Sequence, residues 1–152
     1  MPAGAEARLQ NLGIELPDPP TPGGNYVPAK TVAPVVYLAG AISSDAAGLI
    51  TGMVGVDRTI EDGYAAARAC GLTLLAVSRR HLGSLDKVRS ILSVNGYVNA
   101  VAGFPDSARV INGASDLFVD VFGDAGRHVR AAIGVSALPR NALVEVQMAV
   151  EV

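Results

Sequence analysis

A long helical pattern set between valine-rich runs constrains this fold more than any other feature. From Thr59 to Gly83, apolar or small residues recur at Ile60, Tyr64, Ala67, Gly71, Leu74, Leu75 and Leu82, the spacing of one helix face. Thr59 is a natural cap, and Glu61 and Asp62 suit the positive N-terminus. Arg79, Arg80 and His81 fall in the last turn, where cations are favoured, and Gly83 closes the helix. Gly71 in the interior costs about 1 kcal/mol relative to alanine. That cost predicts another element, a strand, approaching closely there.

The flanking segments supply the rest of the order. Ala5 to Leu12 reads as a short amphipathic helix stopped by Gly13. The four prolines between Leu16 and Gly24 forbid helix and favour an extended surface segment. Tyr26 to Val32 and Val35 to Ala39 read as strands joined by a turn at Ala33-Pro34, and Gly40 ends the second. Ser43 to Gly48 reads as a polar loop and Leu49 to Val56 as a further extended piece. Val88 to Ala102 is aliphatic around Asn95-Gly96, a hairpin turn or a bulge. A hairpin would leave two very short arms, which favours one bent strand. Pro105 and Ser107 open a second helix ending at Gly123, with Val110, Ala114, Leu117, Phe118 and Val121 on its apolar face. His128 to Ser136 and Ala142 to Val152 are strands joined by Leu138-Pro139-Arg140-Asn141. Strands, helix, strand, helix and two strands make an α+β fold, with the helices on one face of a mixed sheet.

At 152 residues this is one domain's worth of chain. Residues 1–23 read as an N-terminal extension with a short helix and a Pro-rich segment, and residues 24–152 as the domain proper. Charged residues make up 17% of the chain and hydrophobic ones 50%, against roughly 25% charged in an average soluble domain. So little charge predicts a homo-oligomer that buries part of its surface. The net charge of −2 gives no basic excess for nucleic acid. Cys70 is the single cysteine, so no intrachain disulfide is possible. The N-terminus lacks an apolar signal core, and Pro34, Asp45 and several glycines break the weakly charged stretch from Thr31 to Val56. The expectation is a cytoplasmic protein with no membrane partner.

No nucleotide-phosphate motif, no nucleophile elbow and no zinc spacing occurs, so no cofactor and no metal are expected. His81 suits a helix C-terminus and Cys70 a buried helix position. Two ionisable residues stand out. Arg130 lies inside HVRAAIGVS and Glu145 inside NALVEVQMAV. Each could simply point outward from a half-buried strand. Alternatively, Arg130 could hold a carboxylate through two parallel hydrogen bonds while Glu145 positions or deprotonates a water.

The run RAAIGVSALPRNALVEVQMAVEV resembles the C-terminal signature of the RidA/YjgF family, the reactive-intermediate imine/enamine deaminases. The family's strand arginine falls on Arg130, its Leu-Pro loop on Leu138-Pro139, and its aliphatic-Glu-aliphatic run on Val144-Glu145-Val146, with Gln147 where a second acid is usual. Gly24-Asn25-Tyr26-Val27 resembles the family's Gly-Pro-Tyr motif, and Tyr37-Leu38-Ala39-Gly40 its strand ending in Ser-Gly-Gln. The Val110-Ile111-Asn112 helix start falls in order as well. The likeness covers about residues 24–152, in the manner of a longer branch of the family.

The resemblance implies a chorismate-mutase-like fold packed as a homotrimer, with small-molecule sites in clefts between subunits. It implies that Arg130 holds the substrate carboxylate, that Glu145 orients the attacking water, and that the Ala132 carbonyl helps place that water. Tyr26, Gly40 and Asn112 match positions lining the cleft. Three departures leave the cleft less polar: Ala131 replaces a hydroxyl residue, Ala132 a cysteine and Ala41 a glutamine. The implied activity is hydrolysis of small 2-imino or 2-enamino acids to 2-oxo acids and ammonia. The alternative is a non-catalytic binder of a small carboxylate metabolite. Endoribonuclease activity, attached to some relatives, runs against the net charge.

Overall fold

The computed structural model describes residues 3–152. Eight strands and three helices follow the order α1 (Ala5–Asn11), β1 (Ala29–Val32), β2 (Val35–Leu38), β3 (Ala41–Ile42), β4 (Ser44–Asp45), β5 (Gly48–Leu49), α2 (Ile60–Leu82), β6 (Ser90–Asn99), α3 (Ser107–Phe122), β7 (Val129–Val135) and β8 (Val144–Glu151). The main sheet runs β1-β2-β8-β6-β7, with β3 extending the line of β2 along β8. Among the described strands β6 and β7 alone pair in parallel, because α3 carries the chain back between them. The α+β expectation with a mixed sheet holds.

Alternation along the strands decides which face is covered. Val144, Val146, Met148 and Val150 of β8 are buried beneath the helices, as are Val94 and Val98 of β6 and Val36 of β2. Glu145, Gln147 and Ala149 point the other way, to a face that no element covers. Thr59 caps α2 through a reciprocal capping box with Asp62, and Gly83 ends it in a left-handed conformation.

Several local expectations need correction. Gly71 is not approached by a strand. A Cβ there would lie 2.9 Å from Leu117 of α3, so the glycine lets two helices close on each other. Gly113 of α3 serves the same contact, because a Cβ there would collide with the carbonyl of Tyr64 in α2. The first strand begins at Ala29 rather than Tyr26, since Pro28 has no N–H to donate to a ladder. The span Leu49–Val56 is mostly irregular, and β4 and β5 form a small separate hairpin. β6 is a single strand, but its irregularity falls between Ile91 and Ser93, not at Asn95-Gly96. Gly96 instead makes room for Ile111, whose side chain would lie 2.5 Å from an added Cβ.

The N-terminal segment shares the same core. Ala5 and Leu9 of α1 are buried in it. The Glu6 carboxylate accepts from Arg79 Nη2 at 2.6 Å and from the Leu85 N–H at 2.9 Å, which ties α1 to the end of α2.

Candidate functional site

Two groups of predicted residues form, on opposite faces of the sheet. The first centres on Glu145. Its neighbours Val144 and Val146 take the buried face, so the alternation of β8 sends Glu145 to the open one, level with Ile42 and Tyr97. There it reaches a cleft of about 1050 Å³ lined also by Tyr26, Lys30, Gly40, Ala41 and Arg140. A Cβ at Gly40 would stand 2.6 Å from Glu145 Oε1, so this glycine leaves the space that the carboxylate fills. Tyr26 folds back over the turn before it and accepts from the Gly23 N–H at 3.3 Å. Glu145 is half-buried, and burial alone pushes its carboxyl pKa above the ordinary value.

The second group centres on Arg130. It lies on edge strand β7 opposite Val94, whose side chain faces the helices, so Arg130 points toward α3. Its guanidinium donates to Ser115 Oγ and to the Ala108 carbonyl, each at 3.0 Å. Ser115 is in turn 2.9 Å from His128 Nε2, and His128 Nδ1 is 2.7 Å from the Gly126 carbonyl. That carbonyl can only accept, so Nδ1 carries the proton and Nε2 of the neutral ring accepts from the serine hydroxyl. Burial holds His128 below its ordinary pKa, against the opposing hydrogen bond to the Gly126 carbonyl and with a smaller push from the charge of Arg130. A directed chain therefore holds Arg130 Nη1, and the Ala108 carbonyl holds Nη2. Ala132 follows on the same face of β7, an edge strand whose outer side has no partner. Asn112 stands on α3 between Ala108 and Ser115 at helical spacing, in a groove with Tyr64, Arg109 and Asp116.

Arg130 and Glu145 thus leave opposite faces of the sheet, with β6 between their strands. One chain brings Glu145, Gly40 and Tyr26 together and sets Arg130 and Ala132 on one face of β7, while Asn112 lines a groove with Tyr64, Arg109 and Asp116. It does not join the two groups.

Sequence reasoning missed Ser115, His128 and Arg140. His128 shares the strand face of Arg130 by alternation, which was the available signal. The pairing of Ser115 with Arg130 depends on how β7 sits against α3 and leaves no local trace. Cys70 is buried, as expected, with Sγ 3.5 Å from the Val144 carbonyl, and burial drives its thiol pKa far up. His81 pairs with Thr31 Oγ1 at 2.7 Å, away from either group.

Residues 6–152 match the family described as "YjgF/chorismate mutase-like, putative endoribonuclease". The chain belongs to the RidA/YjgF family. The match reaches further toward the N-terminus than the motifs from Gly24 onward, in keeping with the burial of α1. Protein TCP17 of Trypanosoma cruzi is 42% identical over 147 residues, covering 95% of this chain and 92% of the relative. The crystal structure of Atu1372 from Agrobacterium tumefaciens, a protein of unknown function, is 38% identical with a TM-score of 0.87, covering 97% of this chain and 91% of that one. A structure from Shewanella oneidensis MR-1 with the same endoribonuclease description is 31% identical with a TM-score of 0.94, covering 99% and 100%. The RidA/YjgF fold thus spans nearly the whole chain. Among the described residues, no helix is long and apolar enough to cross a membrane.

Proposed function

We propose that this RidA/YjgF protein is an imine/enamine deaminase whose site is completed by a second copy of the chain. The observation that carries this reading is the Glu145 carboxylate, half-buried on the cleft wall beside Gly40, with its pKa raised by burial. Such a group is a poised base for a water.

Arg130 of a neighbouring copy supplies the anion anchor. Ser115 and the Ala108 carbonyl take one N–H each from Nη1 and Nη2, which leaves the Nε–H and one N–H on each terminal nitrogen for a substrate carboxylate. Two features of this chain favour copies packing together. Val32, Tyr37, Val129 and Ile133 are each at least half exposed on the uncovered face of the sheet. Strand β7, which carries Val129 and Ile133, also has an unpaired edge. A homotrimer is the assembly the family resemblance implies.

In the proposed reaction a 2-imino acid binds through its carboxylate at Arg130. An enamine substrate first tautomerises, taking a proton from solvent at C3 and losing one from nitrogen to become the imine. Water attacks C2 and gives its proton to Glu145, and Glu145 returns that proton to the nitrogen. The hydroxyl of the resulting carbinolamine then gives up its remaining proton, which Glu145 passes to the amino nitrogen; the C2=O bond forms as the C–N bond breaks, ammonia leaves, and the 2-oxo acid remains. Holding the water and the imine carbon together is most of what catalysis requires here.

The alternative, a carboxylate-binding protein without turnover, draws on Ala41 and Ala131, where the family usually has polar side chains. An endoribonuclease reading gains no support from the histidines, since His81 and His128 are bonded in separate places. Ammonia release from freshly generated 2-aminoacrylate decides between deaminase and binder. Release above the uncatalysed rate is expected. Carboxylate binding with no release would establish the binder.

A further inference from the structure

Arg140 occupies a strained position on the wall of the Glu145 cleft. It sits in the turn Pro139–Asn141 with φ 57° and ψ 27°, and Asn141 follows at φ 58°. Two consecutive left-handed residues without a glycine are uncommon. Asparagine tolerates that region, whereas arginine has no such ease. The surroundings hold the turn in place. Asn141 N–H donates to the Leu138 carbonyl and Gly52 N–H to the Asn141 carbonyl, both at 3.1 Å. Beneath them the amide of Asn99, only 1% exposed, donates to the Gly52 and Ala142 carbonyls at 3.0 and 3.4 Å. A buried polar side chain is thus committed to holding a loop whose exposed product is one cation on the cleft wall. Strain of this kind concentrates at ligand-binding positions.

The charge is also unspent. Among the described residues the ion pairs are Arg79–Glu6, Arg109–Asp106 and Arg127–Asp124, and Arg140 takes part in none. Lys30 on β1 lines the same cleft, also outside those pairs. The cleft, about 1050 Å³, is at the top of the range that drug-sized ligands fill.

We infer that Arg140, assisted by Lys30, is a second anion anchor that selects 2-imino acids carrying a further acidic group on the side chain. This rests on the deaminase reading, in which Arg130 of a neighbour holds the first carboxylate. The second acidic group then reaches across the cleft to Arg140, with the reacting carbon between the anchors and beside Glu145. The guanidinium fork matches a carboxylate through two parallel bonds, and the lysine adds a point charge.

Two stable 2-oxo acids test this by calorimetric titration of the assembled protein: 2-oxobutanoate, with one carboxylate, and 2-oxoglutarate, with two. The wild type should favour the diacid by about tenfold or more, as a charge-assisted contact provides. Arg140→Asn removes the charge with a residue that suits the left-handed backbone, and the ratio should fall toward one. Arg89→Gln makes the same change in net charge away from the cleft and should keep the wild-type ratio. A wild-type ratio near one, or a preference that survives Arg140→Asn, overturns the second anchor and leaves the deaminase reading standing. Binding of neither acid overturns the carboxylate anchor itself, and both readings with it.

Discussion

Glu145 carries opposing demands of stability and chemistry. Burial raises its pKa above the ordinary carboxylate value. For an acid raised in this way, the folded state is penalised once the group ionises. The fold therefore gains stability as pH falls through the raised pKa, the opposite of a salt-bridged carboxylate. The proposed activity needs the ionised form, so the acid limb of kcat/KM should lie above the ordinary carboxylate value. Glu145→Gln should move stability and activity apart. Its melting temperature at neutral pH should equal or exceed that of the wild type, while imine hydrolysis falls by roughly 10²–10⁴-fold. Unchanged turnover would remove Glu145 from the chemistry. Arg130→Lys should weaken binding of a 2-oxo acid by roughly 1.5–3 kcal/mol, because lysine keeps the charge but loses the fork. Equal affinity in calorimetry would make Arg130 a structural strand residue. Glu6 shows the ordinary sign. Its hydrogen bond from Arg79 lowers the pKa, so its contribution is present above the unfolded value and is lost as acid protonates it.

At the scale of elements, the decisive contact is between α2 and α3, where Gly71 and Gly113 let the helices approach. Alanine has the higher helix propensity, so at an isolated helical site Gly113→Ala would stabilise. Here the added methyl meets the backbone of Tyr64, and overpacking should outweigh propensity by about 1–3 kcal/mol in chemical denaturation. A stabilised variant would mean that the helices part without cost. The same contact marks how far the sequence could be read. Both long helices, the strand order and the single nature of β6 follow from periodicity and caps, which are local. The partner of Gly71 is not local, and the expected strand proved to be a helix. The candidate site divides in the same way. Arg130 and Glu145 stand out as charges within apolar strands. That they leave opposite faces depends on which alternate residues the helices cover, and β7 alone does not reveal it: Val129, Ala131 and Ile133 share one apolar side of the strand, and that side is the exposed one. The left-handed backbone at Arg140 follows from pairing with Gly52 and Asn99, far away in sequence, so the Leu-Pro loop gives no hint of it.

For the whole molecule the same opposition of faces becomes a statement about assembly. A lone chain holds the anchor and the base of the proposed reaction with no path between them. An uncovered sheet face carrying Tyr37, Val129 and Ile133 beside an unpaired strand edge invites further copies. Light scattering on the purified protein should give about three times the 15.5 kDa chain mass. A monomer at micromolar concentration would leave the Glu145 cleft without its anion anchor. Complementation tests the shared site most directly. Arg130→Ala and Glu145→Gln chains, each assembled alone, should release ammonia from 2-aminoacrylate no faster than the uncatalysed reaction. Assembled together from an equal mixture, they should recover about a quarter of wild-type activity, since a site sharing residues between two chains draws both intact at that frequency. A mixture as inactive as its components would contradict a site built from Arg130 of one copy and Glu145 of the next.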